Sequence, residues 1–416
     1  MAAVAELQVE VEPTEVGLEP ERLARLDRHL AGYVDRGKIP NALAVVTRGG
    51  RVAHVFRHGD RDPRSGAPVE NDTIWRIYSM TKPITAVAAL LLFEEGAFDL
   101  NDPVAKFIPS FEQLRVYVGG GPLSPTTVPA QEQMRVWHTF THTSGLTYEF
   151  FYSSVVDAMY RNAGFQPFTG REEFTLEEAC ETWASLPLLF EPGTEWNYSV
   201  SNDVLGRIVE VCSGRPLDEF CRTRIFEPLG MTDTGFHVPE EDRERVAALY
   251  TSNPKNPEEA VPHPLVDLVR TERPNYLSGG GGLYSTAHDY NRFQQLLLGR
   301  GELDGVRLLG RKTFALMASN HLPGGADLAQ VGRPLYVDEP PAAGVGYGLG
   351  ISVLLDPAAA KMLGSPGMLR WGGAANTDFF VDPAEELTGA FYTQLLPAYN
   401  PIRRDYRQLI YQALVD

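Results

Sequence analysis

The sequence predicts an α+β fold: one antiparallel sheet assembled from the two ends of the chain, flanked by terminal helices and interrupted by a large all-α insertion. Three observations lead there. Short apolar runs bounded by glycine or Asp-Pro turns lie near both ends, helical spacing dominates the middle, and a helix-patterned segment stands at either terminus. A chain of 416 residues has room for two or three units. The expected division is 1–82 with 271–416 as the sheet-bearing α/β domain and 83–270 as the mainly helical domain, with a cleft between them.

The first helix is expected over 20–36, where Leu23, Leu26, Leu30, Tyr33 and Val34 share one stripe and Gly37 ends it. Segments 42–47 and 51–57 flank Arg48-Gly49-Gly50 and read as a hairpin. From Pro83 to about Arg270 the pattern is mostly helical, clearest at 171–185 and at Ser201–Ser213. Stretches 118–129 and 251–264 read as long Pro- and Gly-rich connections, and 324–344 as a further long loop. Strands are expected at 346–355, 368–371, 377–381 and 387–394, and a last helix at 401–414. No internal repeat or low-complexity tract interrupts this order.

Composition narrows the function. With 43% hydrophobic and 22% charged residues the chain is an ordinary globular protein. Acidic residues outnumber basic ones 54 to 37, for a net charge of -17, which repels phosphate backbones and anionic lipid; neither nucleic acid nor a membrane is an expected partner. Cys180, Cys212 and Cys221 form no C-x-x-C spacing and leave one thiol over, which argues against a disulfide framework or a structural zinc. The first twenty residues lack the basic start and apolar stretch of a secretory signal, so a cytoplasmic location is expected. A homo-oligomer is compatible with this composition.

There is no G-x-S-x-G, no H-E-x-x-H and no phosphate-loop motif. His138 and His142 stand four apart, but no third ligand is evident, so no metal is assigned. The informative stretch is Ser79-Met80-Thr81-Lys82, followed by Pro83 and an apolar helical run. On a helix, residues three apart share a face. A serine hydroxyl becomes a nucleophile when a neighbour takes its proton, and a lysine can do so once burial lowers its pKa. Pro83 suits a first helical turn, where no donor is required. The same spacing also describes a serine N-cap beside an exposed lysine. One of the chain's six lysines repeats it at Ser252-Asn253-Pro254-Lys255, inside a Pro-rich loop, and that copy reads as chance.

Two further segments bear on the site. Glu191-Pro192-Gly193-Thr194-Glu195-Trp196-Asn197-Tyr198-Ser199 holds Tyr198 at a loop-to-helix junction, where a phenol can face a cleft. Trp371-Gly372-Gly373-Ala374 places glycines on a strand, where a ligand or another backbone can approach closely. A buried tyrosine and a β-bulge would look the same.

Together these segments resemble the serine β-lactamase and penicillin-binding-protein superfamily, closest to its esterase branch, the family VIII carboxylesterases, and to the related statin side-chain acyltransferases. The resemblance runs in order through Ser79-x-x-Lys82, Thr141-His142-Thr143-Ser144-Gly145-Leu146, Tyr198-Ser199 with Asp203, Gly279 to Thr286, and Trp371-Gly372-Gly373. It implies a β-lactamase/transpeptidase-like fold. The chain departs from the β-lactamases proper: Val200 stands two residues after Tyr198 instead of Asn, and Trp371 replaces the lysine of K-T-G. That lysine helps to hold a substrate carboxylate, and a neutral ester needs no such cation.

Carried over by position, the resemblance implies Ser79 as nucleophile, Lys82 as its proton acceptor and Tyr198 as proton shuttle. The backbone N–H groups of Ser79 and Ala374 would form an oxyanion hole, and Trp371, Gly372, Gly373, Tyr148 and Phe150 would line the substrate cleft. The Gly279–Gly282 run reads as close packing, and His142 as a structural member of its motif. The expected function is a serine carboxylesterase acting on short-chain or apolar small-molecule esters through an acyl-enzyme, with no cofactor. Alternatives are an acyltransferase using the same acyl-enzyme, a weak β-lactamase or D-amino peptidase, and, in a different class, a non-catalytic binding protein on the same scaffold.

Overall fold

Strands β1 (Asn41–Arg48) and β2 (Arg51–Asp62) turn at Gly49 and Gly50, whose φ angles are +59° and +76°. Two consecutive positive φ values suit the hairpin turn that matches strand twist, and glycine adopts them without a Cβ clash. The computed structural model, which describes residues 7–165, 174–333, 343–397 and 401–416, builds this hairpin into an eight-stranded antiparallel sheet. The other members are β3 (Ala67–Pro68), β4 (Val345–Tyr347), β5 (Ser352–Leu354), β6 (Leu369–Gly372), β7 (Asp378–Asp382) and β8 (Leu387–Tyr392). Their order is β4-β5-β6-β7-β8-β1-β2-β3, so β1 from one end of the chain pairs with β8 from the other.

Both faces of the sheet are covered. Thr47 lies opposite Thr388, and these residues hydrogen-bond to Asn291 and Gln295 of a helix at Ala287–Leu298. The next pair, Val46 and Gly389, turns the other way, and a Cβ on Gly389 would stand 2.8 Å from Ile410 of the last helix, Ile402–Tyr411. The alternation of a strand thus fixes which helix meets which face. In chain order the helices that matter are α1 (Pro20–Asp35), α2 (Thr81–Glu94), α3 (Val136–Thr141), α4 (Leu176–Ser185), α5 (Ser201–Ser213), α6 (Ala287–Leu298) and α7 (Ile402–Tyr411). α1 contacts α7, while α2 is buried nearly all round and packs against α5. A helix apolar on every side has no solvent face to keep.

Four expectations need correction. The 118–129 loop is largely a hairpin, Arg115–Gly121 with Ser124–Pro129, tied to Leu188 by Tyr117 N–H to Leu188 O and Leu188 N–H to Arg115 O. The 251–264 connection likewise holds the hairpin Tyr250–Asn253 with Asn256–Pro262. Most side chains of both hairpins are at least partly exposed, so no core-facing alternation marked them as strands. The single strand expected at 346–355 is two, β4 and β5, turned through Gly350 at φ +84°. The helix expected from 171 begins at Leu176 behind a Thr175 cap; residues 171–173 and 334–342 lie outside the described residues. Among the described residues no helix is long and apolar enough to cross a membrane.

Candidate active site

Ser79 stands in a single 3-10 turn, Tyr78–Met80, that runs directly into α2. The residue before it, Tyr78, has φ +43°, a left-handed conformation that costs energy for any residue with a Cβ. The surroundings hold this turn in place. Ile77 N–H bonds to Leu283 O, Leu283 N–H to the Thr81 hydroxyl at 3.2 Å, and the Tyr290 hydroxyl to Met80 O at 2.9 Å. The result is a half-buried serine at the start of a helix whose first N–H groups need no carbonyl.

One turn on, Lys82 is completely buried. Its Nζ lies 3.2 Å from Ser79 Oγ and donates to Gly280 O at 2.7 Å. Burial pulls its pKa down to about 7, against the opposing pull of the Asp203 carboxylate. An amine that loses its proton near neutrality can accept one from a hydroxyl in contact with it. Asp203, on α5, is itself buried, with its pKa pushed up by desolvation; its Oδ1 accepts from the Tyr276 hydroxyl, the Ser278 hydroxyl and Gly280 N–H at 2.9, 2.7 and 3.1 Å.

Tyr198 sits just before α5, and its ring centroid is 4.4 Å from Lys82 Nζ. Burial raises the pKa of its phenol, while Ser79, Trp371 and the Arg403 charge pull the other way. Ser79 and Trp371 are near enough to influence the hydroxyl, but neither completes a hydrogen bond of good geometry with it. Four buried polar atoms here have no hydrogen-bond partner among the described residues: Tyr198 OH, Trp371 Nε1, Tyr347 OH and His142 Nε2. Their rings are mutual neighbours, with Tyr198 to Trp371 at 5.4 Å, Tyr347 to Trp371 at 5.2 Å and His142 to Tyr198 at 4.9 Å. Such a cluster beside Ser79 offers hydrogen-bonding groups to a polar ligand. The other His142 nitrogen meets the Ser199 hydroxyl at 3.2 Å, and burial holds the ring pKa well below its usual value.

Trp371 and Gly372 end strand β6, and Gly373 follows. A Cβ on Gly373 would stand 2.4 Å from Ile77 O, so only glycine lets this strand end lie against the backbone beside Ser79. Gly280 is similarly confined, since a Cβ would stand 2.5 Å from Asp203 Oδ2 and 2.9 Å from the Tyr148 hydroxyl. Tyr148 is buried, with its ring centroid 5.3 Å from Lys82 Nζ and 5.3 Å from that of Tyr198. Phe150 stacks on Tyr148 at 4.6 Å. The backbone N–H groups of Ser79 and Ala374 carry no hydrogen bond among the described residues.

A profile of the family described as β-lactamase matches residues 26–412. The chain is a β-lactamase-family serine hydrolase. Its relatives agree. It is 35% identical to Protein Rv1367c of Mycobacterium tuberculosis over 87% of this chain and 88% of that one. It is 33% identical to Esterase EstB of Burkholderia gladioli over 90% and 91%. Among solved structures, EstCE1, titled a hydrolase with promiscuous acyltransferase activity, superposes with a TM-score of 0.78 at 25% identity, covering 94% of this chain and 99% of that one.

In this β-lactamase-family chain the structure brings Ser79, Lys82, Tyr198, Trp371, Gly373 and Tyr148 around one point, with Phe150 one ring further out. His138 lies apart from that centre, its Nδ1 accepting from Arg135 N–H at 2.9 Å. The second S-x-x-K copy sits on a hairpin with Lys255 exposed. Sequence reasoning missed Tyr276, Ser278 and Tyr347, and read the glycine run as packing alone, whereas the Gly280 carbonyl also holds Lys82. Nothing local signals a backbone carbonyl as a ligand. The Tyr-x-Ser-Gly-Gly order at 276–280 was the available clue.

Proposed function

We propose that this hydrolase is a family VIII-type carboxylesterase that cleaves short-chain or apolar esters through an acyl-enzyme on Ser79. One observation carries the reading: a fully buried lysine, brought to a pKa of about 7, lies 3.2 Å from a serine hydroxyl. In the neutral form Lys82 accepts the Ser79 proton as Oγ attacks the ester carbonyl. Tyr198 passes a proton to the departing alcohol and takes one from the incoming water, while Lys82 returns its proton to Ser79 Oγ as the acyl group leaves. The developing oxyanion is held by the N–H groups of Ser79 and Ala374, and one such donor is worth about 2.7–4 kcal/mol. Tyr148 and Phe150 form an apolar wall for the acyl group. The replacement of the K-T-G lysine by Trp371 favours neutral esters over lactam carboxylates.

Transfer to an alcohol in place of water is a second reading, supported by the promiscuous acyltransferase activity of EstCE1. Intact-mass measurement after a fluorophosphonate should find one adduct on wild type and none on Ser79→Ala, which should also lose p-nitrophenyl butyrate hydrolysis. Full activity in Ser79→Ala would overturn the assignment. Partition of the acyl-enzyme between water and added alcohol separates the two readings, and nitrocefin turnover tests the lactamase alternative.

A further inference from the structure

In a trans peptide the C=O and N–H point in opposite directions, so whatever grips the oxygen aims the hydrogen. The Gly373–Ala374 peptide is gripped in this way. Its carbonyl, Gly373 O, accepts from Asn376 N–H at 3.1 Å and from Nη2 of Arg403, on α7. Its N–H, on Ala374, meets no acceptor among the described residues.

Arg403 gives this neutral carbonyl a charged donor. In a chain of net charge -17 it has no carboxylate partner among the described residues. Asp378, on the adjacent strand, accepts instead from Tyr406 and Arg407, and Asp405 from His29. Arg403 Nε is buried without a partner. The first glycine of the motif leaves room for this guanidinium and for the Asp378 carboxylate, since a Cβ on Gly372 would stand 3.0 Å from both Arg403 Nη1 and Asp378 Oδ1. The two glycines therefore have separate tasks: Gly373 admits the Ile77 backbone, and Gly372 admits the arginine.

We propose that Arg403 is a positioning residue for the oxyanion hole. Its guanidinium orients and polarises the Gly373–Ala374 peptide, so that the Ala374 N–H faces the acyl carbonyl as a strengthened donor. A cation on the amide oxygen favours the charge-separated amide form and raises the partial charge on the N–H. As charge develops on the substrate oxygen, the fixed cation behind the peptide stabilises it without reorganisation. The inference rests on the acyl-enzyme reading and on Ala374 as a donor.

The test compares Arg403→Gln, Arg403→Lys and, as a control on the same helix, Arg404→Gln, whose side chain is exposed. With p-nitrophenyl butyrate, Arg403→Gln should lower kcat about tenfold or more, less than the 10²–10³ lost with an oxyanion donor itself, while KM stays within about twofold. The Ki of a phenylboronic acid, which mimics the tetrahedral state, should rise in parallel. Arg403→Lys should fall between, and Arg404→Gln should match wild type. Should Arg403→Gln not fold, the lysine variant carries the same comparison of kcat, KM and Ki. Unchanged boronate affinity in a folded Arg403 variant, or an effect confined to KM, would overturn the proposal. Loss of the fluorophosphonate adduct in wild type would instead bring down the acyl-enzyme reading.

Discussion

Lys82 and Asp203 do not touch, yet they share one residue: Gly280 accepts from Lys82 Nζ through its carbonyl at 2.7 Å and donates to Asp203 Oδ1 through its N–H at 3.1 Å. The carboxylate therefore acts on the amine through space and through a peptide dipole that it helps to orient. Its pull opposes the burial that lowers the Lys82 pKa to about 7.

Asp203→Asn isolates that pull. All three hydrogen bonds to Asp203 end on Oδ1, which an asparagine oxygen can still supply. With the negative charge gone, the Lys82 pKa should fall further, because only desolvation remains to act on it. The acidic limb of the kcat/KM profile should then move to lower pH than in wild type, where it should lie near 7. A limb that stays put, measured with p-nitrophenyl butyrate from pH 5 to 9, would show that Asp203 does not set this ionisation.

Burial of Lys82 also has a stability signature. The folded protein releases this proton at about 7 and the unfolded chain near the ordinary lysine value of 10.5. Between those values the unfolded state binds more protons, so stability rises with pH; the penalty is complete below 7 and gone above 10.5. Lys82→Met, similar in volume and uncharged, should abolish activity and raise stability more at pH 6 than at pH 9. The difference should be on the order of 2–3 kcal/mol at about 1.4 kcal/mol per pKa unit. Urea unfolding at the two pH values measures it, and equal gains at both would contradict the buried-amine account.

Tyr198→Phe should separate chemistry from packing. The hydroxyl has no hydrogen-bond partner among the described residues, so its removal leaves none broken. Deleting an unsatisfied buried hydroxyl is neutral or stabilising. Activity should nevertheless fall by about 10²–10⁴, the usual contribution of a positioned acid–base group. Thermal melting of the variant should match or exceed wild type while kcat collapses. A large loss of Tm would assign Tyr198 to the core.

These cases also show what the sequence disclosed. The sheet was legible because β1, β2, β7 and β8 keep apolar runs between glycine or Asp-Pro turns, and the helices because their stripes face one core. The exposed hairpins were not, since strands that bury neither face carry no periodic signal. In the site, Ser79 and Lys82 were visible as a fixed spacing along one helix. Tyr276, Tyr347 and Arg403 were not, for their neighbours lie far along the chain, and contacts such as Arg403 to Gly373 O leave no local pattern. Asp203 was noticed by its distance from Tyr198, but its link to Lys82 through Gly280 arises only in the folded chain.

Gly373→Ala tests how closely the strand end must approach Ser79. The added methyl would lie 2.2 Å from Thr377 Oγ1 and 2.4 Å from Ile77 O. The threonine side chain can rotate away, but the Ile77 carbonyl belongs to the backbone that carries Ser79, two residues on. Relief therefore requires the two backbones to part, and with them the Ser79 and Ala374 N–H groups. Overpacking of this kind costs about 1–3 kcal/mol of stability. Widening the space between the two proposed oxyanion donors should cost more in rate than in stability, with kcat down about 10² or more. Lys82 stays beside Ser79 because both belong to the same turn and helix, so fluorophosphonate labelling should slow without vanishing. An alanine variant with wild-type kcat would show that the strand end has slack, and that the Ala374 N–H is not held against the reacting carbonyl by this contact.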